Sequence, residues 1–444
     1  MPLAADSTTS RCLDKDMKRD DLPESPPADL GVLRFLTCGS VDDGKSTLIG
    51  RLLFDTKALL TDTLANLERN ARRRGLSALD LSLLTDGLVA EREQGITIDV
   101  AYRYFATPRR EFIIADSPGH VQYTRNMVTA ASTADAAVLL VDARKGILAQ
   151  TRRHATIAGL LGVRHLIVAV NKMDQVGFAS ACFTAIVEEF RLWLERQPAL
   201  HVQVDYIPLS ALEGANVVDR DERLVWFDGP TLIELLEQAP AHEADACAPL
   251  RLPVQWVCRP SQADFRGYAG RVESGSIAVG DEIVVFPSGR RSRVQSVAIG
   301  TLARDRAIVG ESVMVTLADE IDISRGDLLA NAHDSPPTAS ARVEATVCWL
   351  SAQPLEPRRE YLLRQATRET RVRIGAVQSR LDTESLQWQV GNTNVEANDI
   401  VRLLLSTQTP IAADAYSRFR SIGSFILIDP ASNDTVAAGM VGAA

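Results

Sequence analysis

The chain has 444 residues, 46% hydrophobic and 24% charged, a composition that excludes disordered and fibrous proteins and supplies apolar side chains for several cores. With 57 Asp and Glu against 48 Lys and Arg the net charge is −9, which disfavours nucleic-acid binding by phosphate neutralisation. No apolar run approaches the roughly 20 residues of a membrane span, and the N-terminus lacks the basic start and apolar core of a signal peptide, so the sequence predicts a cytoplasmic protein with no membrane contact.

Residues 1–30 hold four prolines, 11 charged side chains and no aromatic, and read as a flexible tail. From Gly31 short apolar runs alternate with helix-like segments, the pattern of parallel βαβ units. Strands are predicted at 32–38, 98–104, 111–115, 136–142, 165–170 and 204–209, and helices at 129–134, 149–161, 181–196 and 230–238, closing a first domain over 31–240. Residues 240–250 lack periodicity and read as a linker. The period then becomes two, with strands at 252–257, 270–273, 282–286, 293–297 and 312–317 between glycine turns, predicting a β-barrel over 250–335. A break at Asp334-Ser335-Pro336-Pro337 precedes a second all-β domain over 340–444. The predicted fold class is an α/β domain followed by two antiparallel β-barrel domains. The six cysteines are scattered singly, the pattern of neither a disulfide framework nor a zinc site.

The first chemical motif is Gly39-Ser40-Val41-Asp42-Asp43-Gly44-Lys45-Ser46, a G-x-x-x-x-G-K-[ST] loop between a strand and a helix, with Thr47 beside it in the predicted nucleotide contact. Its glycines let backbone N–H groups turn toward phosphate oxygens at a helix N-terminus. Lys45 is expected to bridge the β and γ phosphates and Ser46 to ligate Mg²⁺. Next, Glu93-Gln94-Gly95-Ile96-Thr97-Ile98 reads as a switch segment in which Thr97 reaches Mg²⁺ and the γ-phosphate.

Asp116-Ser117-Pro118-Gly119 ends a later strand, where Asp116 takes the place of a carboxylate that holds Mg²⁺ directly or through water and the Gly119 N–H contacts the γ-phosphate. His120 follows and is the candidate for orienting the attacking water, so the predicted catalytic set is His120, Lys45 and Thr97. Asn171-Lys172-Met173-Asp174 ends another strand. A carboxylate at Asp174 accepts from guanine N1–H and the exocyclic amine, a donor pair that adenine lacks, so GTP is selected over ATP. Lys172 is placed over the base, Asn171 ties the segment to the P-loop, and Ser210-Ala211-Leu212 contacts the guanine carbonyl. Only six of the basic residues are lysines, and Lys45 and Lys172 take positions where a guanidinium does not fit.

These motifs, with residues 116–146 (DSPGHVQYTRNMVTAASTADAAVLLVDARKG), 226–237 (WFDGPTLIELLE) and 259–285 (RPSQADFRGYAGRVESGSIAVGDEIVV), make the chain from about Gly31 onward resemble the translation-factor superfamily of GTPases. Within it, they are most similar to the large, GTP-binding subunit of bacterial sulfate adenylyltransferase. The resemblance implies that GTP turnover on this chain drives formation of adenosine 5′-phosphosulfate and pyrophosphate from ATP and sulfate. A separate small catalytic subunit supplies the ATP and sulfate site, the two forming a heterodimer. The alternative is an elongation-factor-like GTPase that binds aminoacyl-tRNA, a group that typically carries histidines where Ser40 and Asp43 stand. Two departures from the family pattern are Val121, beside His120, and Gln365, in a third-domain segment expected to meet another domain or subunit.

Overall fold

The computed structural model describes residues 31–58, 81, 99–119, 124–197, 200–241, 247–259, 265–356, 358–382, 385, 387–391 and 394–442. The predicted tail, the switch segment with Thr97, and His120 with Val121 lie outside the described residues.

The first domain is a six-stranded sheet of β1 (Val32–Gly39), β2 (Ala101–Ala106), β3 (Glu111–Asp116), β4 (Ala136–Asp142), β5 (His165–Asn171) and β6 (Gln203–Pro208), in the order β2-β3-β1-β4-β5-β6. All neighbours run parallel except β2, which pairs antiparallel with β3 at the edge. Every residue of β4 and β5 is buried, which is why Ala136–Val141 and Leu166–Val170 read as unbroken apolar runs. Helices α1 (Lys45–Asp55), α2 (Thr124–Thr133), α3 (Ala149–Leu160), α4 (Ser180–Glu195) and α5 (Leu232–Gln238) connect the strands. A capping box between Thr231 and Glu234 starts α5 and fixes the end of the domain's last helix. The Phe35, Leu48 and Leu236 side chains fill one face of the sheet.

The other face, under Met127, Ile157 and Phe190, is continuous with Cys348, Ile400, Tyr416 and Met440 of the third domain. That docking is polar as well. The short helix α6 (Arg420–Gly423) supplies Arg420, whose guanidinium donates to the carbonyls of Ala131, Ala134 and Leu161 at 2.7–3.0 Å, and the Tyr416 hydroxyl donates to Leu161 at 2.8 Å. A cation thus sits on the carbonyl ends of α2 and α3, where the helix dipoles are negative.

In the second domain Leu252–Pro253 pairs with Leu328–Asn331, while the same segment, continuing as Trp256–Cys258, pairs with Gly267–Arg271, so the sheet closes on itself. The third domain closes through Glu360–Gln365, which pairs with both Ser424–Ile428 and Arg368–Leu381. Two antiparallel barrels therefore follow the α/β domain.

Several boundaries differ from the sequence reading. The helix expected at 129–134 starts at Thr124. The strand expected at 252–257 is split, and Leu250, where the expected linker and barrel meet, is a core residue of the barrel. Ser276–Ala278, Leu302–Arg304 and Arg306–Ile308 were not predicted, being three-residue strands with at most one buried side chain each. Gln365 is 3% exposed and donates to the carbonyls of Ala412 and Ile422 at 2.7 Å each, beside second-domain Phe286 and Leu328. It is a fastener inside the chain and is not presented to solvent.

Candidate functional site

The motifs converge at the C-terminal ends of β1, β3, β5 and β6, where an open parallel sheet exposes its connecting loops. β1 delivers Gly39–Gly44 into α1. Gly44 has φ 94°, and a Cβ there would lie 2.5 Å from Asn171 Nδ2, so glycine is required for both conformation and clearance. No side chain caps α1. The uncapped first turn of a helix offers its N–H groups to an anion, which suits a nucleotide phosphate.

Lys45 is 7% exposed, its ammonium donating to the carbonyls of Gly39 (3.1 Å) and Ser40 (2.8 Å). Burial lowers its pKa, an effect opposed by Asp116 and Asp43. Asp43 accepts the Ser40 N–H at 2.6 Å through Oδ2, and its burial raises the carboxyl. Asp43 Oδ1 and Ser40 Oγ are buried with no hydrogen-bond partner among the described residues.

Asp116 is 2% exposed and accepts from the Thr37 hydroxyl at 3.2 Å, while the Ser117 hydroxyl donates to the Thr37 carbonyl at 2.7 Å. After Pro118, Gly119 packs against the P-loop so closely that a Cβ would lie 2.5 Å from Lys45 Nζ. The carboxylate of Asp116 and the hydroxyl of Ser46, at the start of α1, are the oxygen donors a hard cation such as Mg²⁺ prefers, so the residues fit that ion.

The segments Asn171–Asp174 and Ser210–Leu212 are locked to the P-loop in one hydrogen-bonded set. Asn171 Nδ2 donates to the Asp43 carbonyl at 2.7 Å, and Asn171 Oδ1 accepts the Ala211 N–H at 2.9 Å. Asp174 accepts from the Ser210 hydroxyl at 2.6 Å. Lys172 donates to the Asp42 carbonyl, and buried Met173 anchors the turn from below. Arg51, from α1, donates to the carbonyls of Ala211 and Leu212. The structure thus gathers Gly39 through Thr47, Asp116 through Gly119, Asn171 through Asp174 and Ser210 through Leu212 at one mouth.

Sequence reasoning missed Gln150 and His154. His154, 3% exposed on α3, accepts the Gly39 N–H through Nδ1 at 3.1 Å. Gln150 Nε2 lies 3.2 Å from the Gly119 carbonyl and 2.8 Å from His154 Nε2. These two residues link the P-loop to Asp116-Gly119, and nothing local in the sequence marks them. Asp142 and Arg51 were also missed. A charged residue ending the otherwise apolar β4 was the one available signal.

Two family models match this chain. The Elongation factor Tu GTP binding domain covers residues 31–243, and the GTP-eEF1A C-terminal domain-like model covers residues 342–442. Among curated proteins, "Bifunctional enzyme CysN/CysC" of Mycobacterium tuberculosis (strain CDC 1551 / Oshkosh) is 50% identical over 415 residues, 92% of this chain and 67% of that protein. "Bifunctional enzyme NodQ" of Rhizobium sp. (strain N33) is 50% identical over 414 residues, 92% of this chain and 63% of that one. This chain therefore spans about two thirds of the length of the bifunctional relatives. "Sulfate adenylyltransferase subunit 1" of Tolumonas auensis (strain DSM 9187 / NBRC 110442 / TA 4) is 49% identical over 412 residues, 92% of this chain and 86% of that protein. With an elongation-factor-Tu-type GTP-binding domain and near-half identity to a relative of similar length, the chain belongs to the sulfate adenylyltransferase subunit 1 family.

Proposed function

We propose that this chain binds and hydrolyses GTP, with Mg²⁺ as cofactor, and couples that turnover to formation of adenosine 5′-phosphosulfate and pyrophosphate from ATP and sulfate. A separate small catalytic subunit holds the ATP and sulfate site. The observation that carries the reading is the single hydrogen-bonded set joining Asp174 and Asn171 to the P-loop, in a chain of this family.

In this reading Asp174 accepts from the guanine edge, Ser210-Ala211-Leu212 contacts its carbonyl, and Lys172 covers its face. The amides of residues 39–47 and the Lys45 ammonium bind the phosphates. Ser46, Asp116 and Thr97 hold Mg²⁺, which supplies charge neutralisation when bound. Gly119 senses the terminal phosphate and His120 orients the attacking water. The domains are taken as 31–240, 250–335 and 340–444. Among the described residues no helix is long and apolar enough to cross a membrane, and the cytoplasm is the assigned compartment.

Fluorescent-nucleotide binding tests the first step. Guanine nucleotides should bind at least 100-fold more tightly than adenine nucleotides, a margin of about 2.7 kcal/mol. Equal affinity for the two would overturn the site.

A further inference from the structure

Asp142 ends β4 opposite Asn171 in the register with β5. It is 1% exposed, and a carboxylate so buried keeps its charge only when cations and N–H donors surround it. Arg144 supplies three donors: its backbone N–H and Nε reach Oδ1 at 3.0 Å each, and Nη2 reaches Oδ2 at 2.6 Å. Lys172 supplies the fourth, its ammonium lying 3.0 Å from Oδ2. Burial alone would raise this carboxyl, but the hydrogen bonds from Arg144 and Lys172 outweigh it and hold the pKa well below the usual carboxylate range.

Lys172 is fixed at both ends. Its backbone sits at φ 62°, a left-handed conformation uncommon outside glycine, which sets the direction in which the side chain leaves the chain. Its ammonium is tied to Asp142 and to the Asp42 carbonyl. A lysine stem normally samples many rotamers and loses that freedom when a ring packs on it. A stem pinned beforehand does not.

We propose that Asp142 is a positioning residue for guanine-nucleotide recognition, holding the Lys172 stem extended as the platform for the base while Arg144 neutralises the remainder of its charge. The inference rests on the reading of residues 171–174 as the guanine site. Asp142 acts on the base plane, through Lys172. Asp174 acts on the base edge. The two are therefore separable by nucleotide: inosine diphosphate presents the same plane as GDP but lacks the exocyclic amine that Asp174 reads.

The experiment measures fluorescent GDP and IDP affinity, and single-turnover GTP hydrolysis at saturating GTP, for the full chain and its variants. Asp142→Asn, which keeps the side-chain volume, should weaken GDP and IDP by the same factor, about tenfold, with hydrolysis within twofold of the parent. Lys172→Ala should weaken binding as much, and the double variant no further, because the two residues act as one unit. Arg144→Ala strips two of the four donors from Asp142 but keeps the Lys172 contact and the backbone N–H, and should weaken GDP binding by a smaller factor than Asp142→Asn does. Additive losses in the double variant, a larger loss for GDP than for IDP, or an Arg144→Ala defect as large as that of Asp142→Asn would each overturn the proposal. A parent chain that binds no guanine nucleotide would overturn the guanine-site reading itself. Tight binding by the parent with unchanged affinity in Asp142→Asn would overturn the positioning role alone.

Discussion

His154 on α3 accepts the Gly39 N–H through Nδ1 at 3.1 Å, so the first glycine of the P-loop is anchored by an imidazole 115 residues further along the chain. That bond requires a lone pair on Nδ1. Burial, with Lys45 and Arg153 nearby, pushes the His154 pKa down to about 3 from an ordinary value of about 6.5. Between those values the unfolded chain binds the proton and the folded chain does not, so stability present above pH 6.5 is lost as pH falls, at up to about 1.4 kcal/mol per unit. Urea unfolding at pH 7.5 and 5.5 should show a larger loss for the parent than for His154→Gln. Equal losses would mean that another group carries the acid sensitivity.

The donor–acceptor count around Gln150 leads to a second prediction. An imidazole accepting at Nδ1 carries its hydrogen on Nε2, and the Gln150 amide cannot present oxygen to that hydrogen and nitrogen to the Gly119 carbonyl from the same place. Gly119 and His154 compete for one amide. Gln150→Ala should remove the hold on the Gly119 carbonyl and slow single-turnover GTP hydrolysis by about tenfold, with GDP affinity within threefold. Parallel loss of affinity and rate would mark the residue as structural only.

Lys45→Ala removes the one ammonium held by the P-loop carbonyls of Gly39 and Ser40. GTP affinity measured by calorimetry should fall at least 100-fold, because a buried cation facing a phosphate has no substitute there. His120→Ala should instead slow hydrolysis by about 10² with nucleotide affinity within a few-fold.

The barrels are joined by a buried ion pair. Arg251 reaches Asp414 through Nε at 2.6 Å and Nη2 at 3.0 Å, also donates to the Ser335 carbonyl, and lies 4.4 Å from the Phe419 ring. Removing one charge strands the other, so Asp414→Leu should cost about 3–5 kcal/mol in thermal unfolding. Pairing it with Arg251→Met should recover much of the loss. A double variant as weak as the single one would show that geometry and not charge compensation holds this junction.

What the sequence revealed follows from how local each feature is. β4 was legible at both ends because its six apolar residues, Ala136–Val141, are all buried and form an unbroken run between Asp135 and Asp142. The segments Gly39–Ser46, Asp116–Gly119 and Asn171–Asp174 were legible as motifs because each is contiguous with fixed residue types at fixed spacing, and the structure brings them together. Gln150, His154, Arg51 and Asp142 were not, because the partners that tie each of them to the site, Gly119, Gly39, Ala211 and Lys172, are distant in sequence and only the packing of α3, α1 and β4 brings them together. The strand Arg306–Ile308 escaped for a similar reason: its pairing with Ser276–Ala278 is a tertiary event, and only Ala307 is buried. Gln365 was placed correctly at a domain boundary, but its two carbonyl partners assign it to the chain's own interior.

Whether GTP turnover on this chain drives sulfate activation elsewhere is tested most directly by assaying adenosine 5′-phosphosulfate formation from ATP and sulfate with the small catalytic subunit, with and without GTP. GTP should stimulate synthesis at least tenfold, with accompanying GTP hydrolysis, and the stimulation should be lost in complexes carrying Lys45→Ala or Asp174→Ala. Synthesis that ignores GTP and is undiminished in the Lys45→Ala complex would contradict the coupling.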